Sequence, residues 1–140
     1  MEEVFVDTPA LVALVNRDEG LHKQAVAVNE VLEAERVRLV TTDDVLVELG
    51  NLCRKPALRP LAEEAIDAVW GSVPSGLMAV VHVDQELWER GWELFKQRPD
   101  KEWSLTDCIS FVVMAERNIR RAFTSDHHFE QASFERLLMP

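Results

Sequence analysis

Four acidic residues stand where this chain passes from apolar to polar, and their types could do chemistry together. Asp7 closes the run Val4-Phe5-Val6, and Glu48 rides on the helix-like stretch Val45 to Leu52. Asp107 opens the apolar run Cys108 to Ala115, and Asp126 follows Ala122-Phe123-Thr124 closely. Acids number 25 in 140 residues, so abundance singles out none of them, whereas their neighbours do. A carboxylate pressed against buried apolar side chains must be paired or it takes up a proton. Four such positions imply one compensated site, and a divalent cation is the obvious compensation. All-oxygen donors suit Mg²⁺ or Mn²⁺, and no Cys/His set with zinc spacing is present. Each acid also has a purely structural alternative. Glu48 could sit on a solvated helix margin, Ser104-Leu105-Thr106-Asp107 could be a capping box, and Asp7 or Asp126 could end a strand or cap a turn.

The elements that must position these acids alternate between short β-like runs and longer helical ones. Val4–Val6 reads as a buried strand, with Thr8 as N-cap and Pro9 opening a helix to about residue 16. Residues 21–35 form a second helix whose inner face carries Ala25, Val28, Val31 and Leu32. A strand over 37–41 leads to a helix capped by Asp43 or Asp44, with Val45, Leu49 and Leu52 as its apolar stripe and Glu48 on the stripe's margin. A helix over 61–73, a strand over 78–83 and a helix from Asp84 to about Gln97 follow. Ser104 or Thr106 caps a helix over 107–117, and a strand over 119–123 precedes Asp126. This alternation predicts a mainly parallel sheet covered by helices on both faces, a three-layer α/β/α sandwich. In such sheets ligands bind beyond the carboxyl ends of the strands, near a topological switch point. Asp7 and Asp126 follow strands, while Glu48 and Asp107 lie near helix starts that could open onto the same edge.

The bulk properties narrow the class. The length suits a single domain over residues 1–140, 47% hydrophobic and 29% charged, with no repeat or linker. No apolar run reaches membrane-helix length, and Met1-Glu2-Glu3 lacks a basic signal-peptide start. Cys53 and Cys108 lie in apolar helical patterns and read as buried reduced thiols, which suits a cytoplasmic protein. The formal net charge of −10 argues against a general polyanion binder but leaves room for a metal-holding nuclease or a basic protein partner. Asp7-Thr8-Pro9 lacks the second acid of an Asp-x-Asp phosphatase pair.

The stretches Val4-Phe5-Val6-Asp7-Thr8, Asp44-Val45-Leu46-Val47-Glu48-Leu49, Ser104-Leu105-Thr106-Asp107-Cys108-Ile109 and Phe123-Thr124-Ser125-Asp126-His127-His128-Phe129 resemble the signatures of PIN-domain proteins. The match is closest to VapC-type toxins of toxin–antitoxin modules and runs in order along nearly the whole chain. The resemblance implies the PIN sandwich, Mg²⁺- or Mn²⁺-dependent RNA cleavage and an antitoxin that blocks the site. It places the acidic quartet on Asp7, Glu48, Asp107 and Asp126, with Thr8, Ser104 or Thr106 as auxiliary hydroxyls. Pro9 departs from the Ser of many relatives. A PIN nuclease of RNA processing, or a catalytically silent PIN-like interaction module, is the alternative.

Other residues carry weaker expectations. Adjacent side chains diverge, so His127 and His128 read as surface residues. Trp88, Trp92 and Phe95 follow an i, i+4, i+7 stripe that reads as core or homodimer packing. Trp103, among polar residues ahead of Asp107, is a candidate substrate contact, and Arg54, Lys55 and Arg59 could meet phosphates.

Overall fold

A computed structural model describes residues 1–140. Five parallel strands form one sheet in the order β3-β2-β1-β4-β5: β1 (Glu3–Val6), β2 (Arg38–Thr42), β3 (Met78–Val81), β4 (Arg121–Phe123) and β5 (Glu135–Arg136). Seven helices connect or flank them: α1 (Thr8–Val15), α2 (His22–Ala34), α3 (Asp43–Leu52), α4 (Arg59–Gly71), α5 (Gln85–Gln97), α6 (Leu105–Glu116) and the single turn α7 (His128–Gln131). The chain starts at the centre of the sheet, winds outward through β2 and β3, then crosses back to β4 on the other side of β1. Right-handed crossovers in opposite directions put α1–α4 on one face and α5–α6 on the other, the expected α/β/α sandwich. The reversal beside β1 is a switch point, and the crevice at the carboxyl ends of β1 and β4 is where such a sheet binds ligands.

The core explains why the runs fold as they do. Val4, Phe5 and Val6 are buried in succession because β1 is covered on both faces. On the far face, α5 approaches α6 at Gly91, where an added Cβ would stand 2.3 Å from Cγ1 of Ile109. Below the sheet's N-terminal edge, Glu3 takes a bidentate ion pair from Arg117, and Arg121 bridges Glu2 and Glu35.

Several local expectations are corrected. Asp7, not Thr8, occupies the N-cap position of α1, so the helix begins one residue early. Thr42 caps α3 by accepting from the Val45 amide, which leaves Asp43 free to accept from Val83 and pair with His82. Val31 and Leu52 are exposed, while Ala25 and Leu32 of α2 and Val45, Leu46 and Leu49 of α3 are buried and Val28 packs against the core as expected. Trp88, Trp92 and Phe95 are not core residues; they stack on one another along the outer face of α5. The face of α5 that packs inward instead carries Leu87 and Gly91. β5 and α7 lie in a stretch for which the pattern gave no element.

Candidate functional site

The central strand delivers Asp7 directly to the switch point. Its amide donates to the Phe123 carbonyl, so β1 and β4 remain paired to the residue that enters the cleft. The Asp7 side chain makes no helix-capping bond. Instead its Oδ2 accepts from Thr124 Oγ1 at 3.2 Å, and that hydroxyl oxygen accepts the Asp126 amide at 3.1 Å. Thr124, fully buried, thus holds two acids of the quartet in register.

Asp107 serves two purposes at once. Ser104 Oγ accepts the Asp107 amide, and Asp107 Oδ2 accepts the Ser104 amide at 3.1 Å, a complete capping box. The same carboxylate lines the cleft, so acting as a cap does not withdraw Asp107 from it. Phe129, fully buried against Phe5 and edge-on to Phe111, anchors the turn that follows Asp126. The His128 amide donates to Asp126 Oδ1 at 2.9 Å, and the His128 ring places Nδ1 3.0 Å from Asp107 Oδ2.

The carboxylates of Asp7, Asp107 and Asp126 each offer an oxygen within 4.8 Å of the others. Glu48 lines the same cleft but is tied to it through Thr8, whose hydroxyl donates to Glu48 Oε1 at 2.7 Å. Ser104 also lines the cleft, whereas Thr106 does not. The cleft holds about 500 Å³ and gathers Asp7, Glu19, Glu48, Glu102, Asp107 and Asp126, with His128 and no Lys or Arg. A larger cavity of about 660 Å³ between α1, α2 and α4 is mainly apolar and has no such cluster.

The electrostatics follow from crowding and burial. Burial raises the Asp7 carboxyl from an ordinary 3.8 to about 7, the Thr8 amide opposes the rise, and the charges of Asp107, Glu48 and Asp126 add to it. Asp107 is raised by burial too; the Ser104 amide and His128 oppose this, while Asp126 reinforces it. Three buried or half-buried oxygens that repel one another are the donor set a hard divalent cation compensates, so these residues fit such an ion. They could equally share protons or receive a cationic side chain.

His128 was expected at the surface and is instead part of the site, its side chain 18% exposed; His127 does lie outward, 66% exposed. The two rings do not diverge: their centroids stand 4.5 Å apart, with His128 against the cleft and His127 outside it. Thr124, Glu19 and Glu102 went unnoticed by sequence, although Thr124 sits within the Phe123-Thr124-Ser125-Asp126 signature. Trp103 does not line the acidic cleft: it is buried, donates through Nε1 to Gln131 and stands edge-on to Phe111. Arg54 and Arg59 are exposed and donate to the backbone carbonyls of Asn51 and Arg54, respectively. Both cysteines are buried and free. No helix is long and apolar enough to cross a membrane.

Comparison with known proteins converges on the same frame. The family model described as PIN domain matches residues 4–135. The chain is 29% identical over 131 residues to the 23S rRNA-specific endonuclease VapC20 of Mycobacterium tuberculosis, covering 94% of this chain and 95% of that protein. It is 29% identical over 118 residues to a VapC ribonuclease of Archaeoglobus fulgidus, covering 83% and 72% respectively. The crystal structure of M. tuberculosis VapC20, described as a Sarcin-Ricin loop cleaving toxin, superposes with a TM-score of 0.78 over 94% of this chain and 95% of that one. VapBC2 of Rickettsia felis, solved bound to a promoter DNA fragment, shares the fold at a TM-score of 0.68 with 13% identity, over 96% of each chain.

Proposed function

The chain belongs to the PIN domain family, and from that premise we propose that it is a metal-dependent endoribonuclease and the toxin of a toxin–antitoxin pair. The observation that carries this reading is the meeting of Asp7, Asp107 and Asp126 at the switch point of a PIN fold. Relatives sharing 29% of their residues with this chain are named endonuclease and ribonuclease. The reaction is hydrolysis of an RNA phosphodiester: water adds to phosphorus and one P–O bond breaks.

Asp7, Asp107 and Asp126 would hold Mg²⁺ or Mn²⁺, with Glu48 completing the acidic quartet. Such an ion supplies neutralisation of the phosphate charge, a lowered pKa for bound water and stabilisation of the leaving oxygen. The chain's own contribution is positioning. Thr124 fixes Asp7 relative to Asp126, the capping box fixes Asp107, and the Thr8 hydroxyl fixes Glu48. Because the cleft has no Lys or Arg, it cannot neutralise an RNA phosphate with its own cationic side chains.

The same imbalance supports an antitoxin partner. A basic segment that inserts an Arg or Lys among Asp7, Glu48, Asp107 and Asp126 would offset their repulsion, and so stabilise the fold while blocking the cleft. The outer aromatic stripe of α5 is available for a homodimer through a surface apart from the site. The cytoplasm, where RNA and such a partner meet, is the compartment this reading requires.

Incubation of the purified protein with ribosomal RNA and with a sarcin–ricin loop oligonucleotide tests the activity. Cleavage in Mg²⁺ or Mn²⁺ that stops in excess EDTA is expected. Undiminished cleavage in EDTA, with contaminating nuclease excluded, overturns the metal requirement. Expression alone should slow growth, and co-expression with an adjacent antitoxin should restore it. Harmless expression of active protein replaces the toxin reading with RNA processing.

A further inference from the structure

His128 is the one nitrogen-bearing side chain in a cleft otherwise furnished with carboxylates and hydroxyls. Its position is fixed on three counts. The next residue, Phe129, is fully buried, the His128 amide is held by Asp126 Oδ1, and the ring is largely covered. Its Nδ1 stands 3.0 Å from Asp107 Oδ2 and 3.4 Å from Asp126 Oδ1. Those spacings are notable because neighbouring ligands of an octahedral ion with bonds of about 2.1 Å lie about 3 Å apart. The imidazole nitrogen therefore lies at ligand spacing from two of the three acids already assigned to the centre.

We propose that His128 Nδ1 is a metal ligand beside Asp107 and Asp126, making the centre a mixed oxygen–nitrogen site that favours a first-row transition ion such as Mn²⁺ over Mg²⁺. The inference rests on the metal-centre reading above and adds a residue outside the acidic quartet. Imidazole bonds well to transition ions, while Mg²⁺ takes oxygen donors and retains water. A nitrogen in this position raises affinity for the first class and does little for the second. His127 also brings a ring nitrogen within 4.8 Å of Asp126 and His128, but it is 66% exposed and does not line the cleft, so the ligand is assigned to His128 and the test includes both residues.

The test reads the metal directly and needs no RNA. Mn²⁺ is titrated into the purified, EDTA-treated protein, and pulsed electron paramagnetic resonance is used to detect ¹⁴N coupling to the bound ion. The wild type should show a directly coordinated imidazole nitrogen, H128A should lose it, and H127A should keep it. Calorimetric titration should show H128A weakening Mn²⁺ about tenfold or more, the scale on which single groups around a metal act, with Mg²⁺ affinity little changed. Wild-type Mn²⁺ binding without nitrogen coupling overturns the proposal and leaves His128 as a hydrogen-bond partner of Asp107. Loss of coupling in H127A rather than H128A overturns it too. Absence of any divalent-ion binding removes both this proposal and the metal centre on which it rests. Circular dichroism checks the fold of each variant. If H128A does not fold, H128Q takes its place, and the wild-type spectrum still decides whether nitrogen is bound.

Discussion

Asp7→Asn should make the metal-free protein more stable while disabling it, and the size of the gain follows from the site. The folded protein raises this carboxyl from 3.8 to about 7, so it holds the proton more tightly than the unfolded chain does. Asp7 therefore reduces stability as pH rises from about 3.8 towards 7, and its full cost is felt above that range. At about 1.4 kcal/mol per pKa unit, ionising this buried group at pH 8 costs the folded state about 4 kcal/mol. Asparagine keeps the shape and an oxygen to accept from Thr124, but it carries no charge to desolvate beside Asp107, Glu48 and Asp126. Urea unfolding in EDTA should show the variant ahead of wild type by up to about 4 kcal/mol at pH 8, narrowing to about 2 kcal/mol at pH 5. Saturating divalent ion should favour wild type instead, since only the intact site gains fully from binding. Equal stabilities at pH 8, or a gap that does not narrow at pH 5, would refute the account of Asp7 as a buried, mutually repelled carboxylate.

Asp107→Asn should abolish most RNA cleavage with the fold retained, because asparagine can still close the capping box; Asp126→Asn should be milder, and single-turnover rates for both decide the ranking. Gly91→Ala should cost about 1–3 kcal/mol in urea unfolding, the range for overpacking, since its Cβ meets Ile109; wild-type stability would show that α5 and α6 separate easily. Ser104→Ala should cost about 1 kcal/mol through the lost cap and also reduce cleavage by loosening Asp107, whereas unchanged turnover would confine Ser104 to helix capping.

Asp7 and Asp126 were legible because their position after an apolar run survives any error of a residue or two in strand ends. Asp107 was legible as a cap, and only three dimensions show that the capping carboxylate also stands beside Asp7 and Asp126. Trp88, Trp92 and Phe95 misled because α5 has two apolar stripes, and periodicity cannot say which one meets α6. Trp103 misled for the opposite reason: its immediate neighbours are polar, but Phe111 on α6 and Gln131, 28 residues beyond Trp103, pack against it. His128 was hidden because the divergence expected of neighbours does not occur here: the two rings stand 4.5 Å apart and His128 is largely covered within the cleft. The α3 cap moved to Thr42 because β2 runs one residue further than its apolar residues suggest.

The bond from Thr124 to Asp7 spans 117 positions of the chain, and this separation bears on how the protein is made. A ribosome releases Asp7 and Glu48 early, Asp107 much later and Asp126 after that. Until β4 emerges and pairs with β1, only Asp7 and Glu48, linked through β1, β2 and the Thr8 hydroxyl, can come together, and Asp126 cannot join them. Non-local pairings of this kind also form slowly compared with local ones. With this topology the cluster of Asp7, Asp107 and Asp126 is incomplete until nearly the whole chain has been made. The delay comes from the order of the strands and needs no partner to impose it.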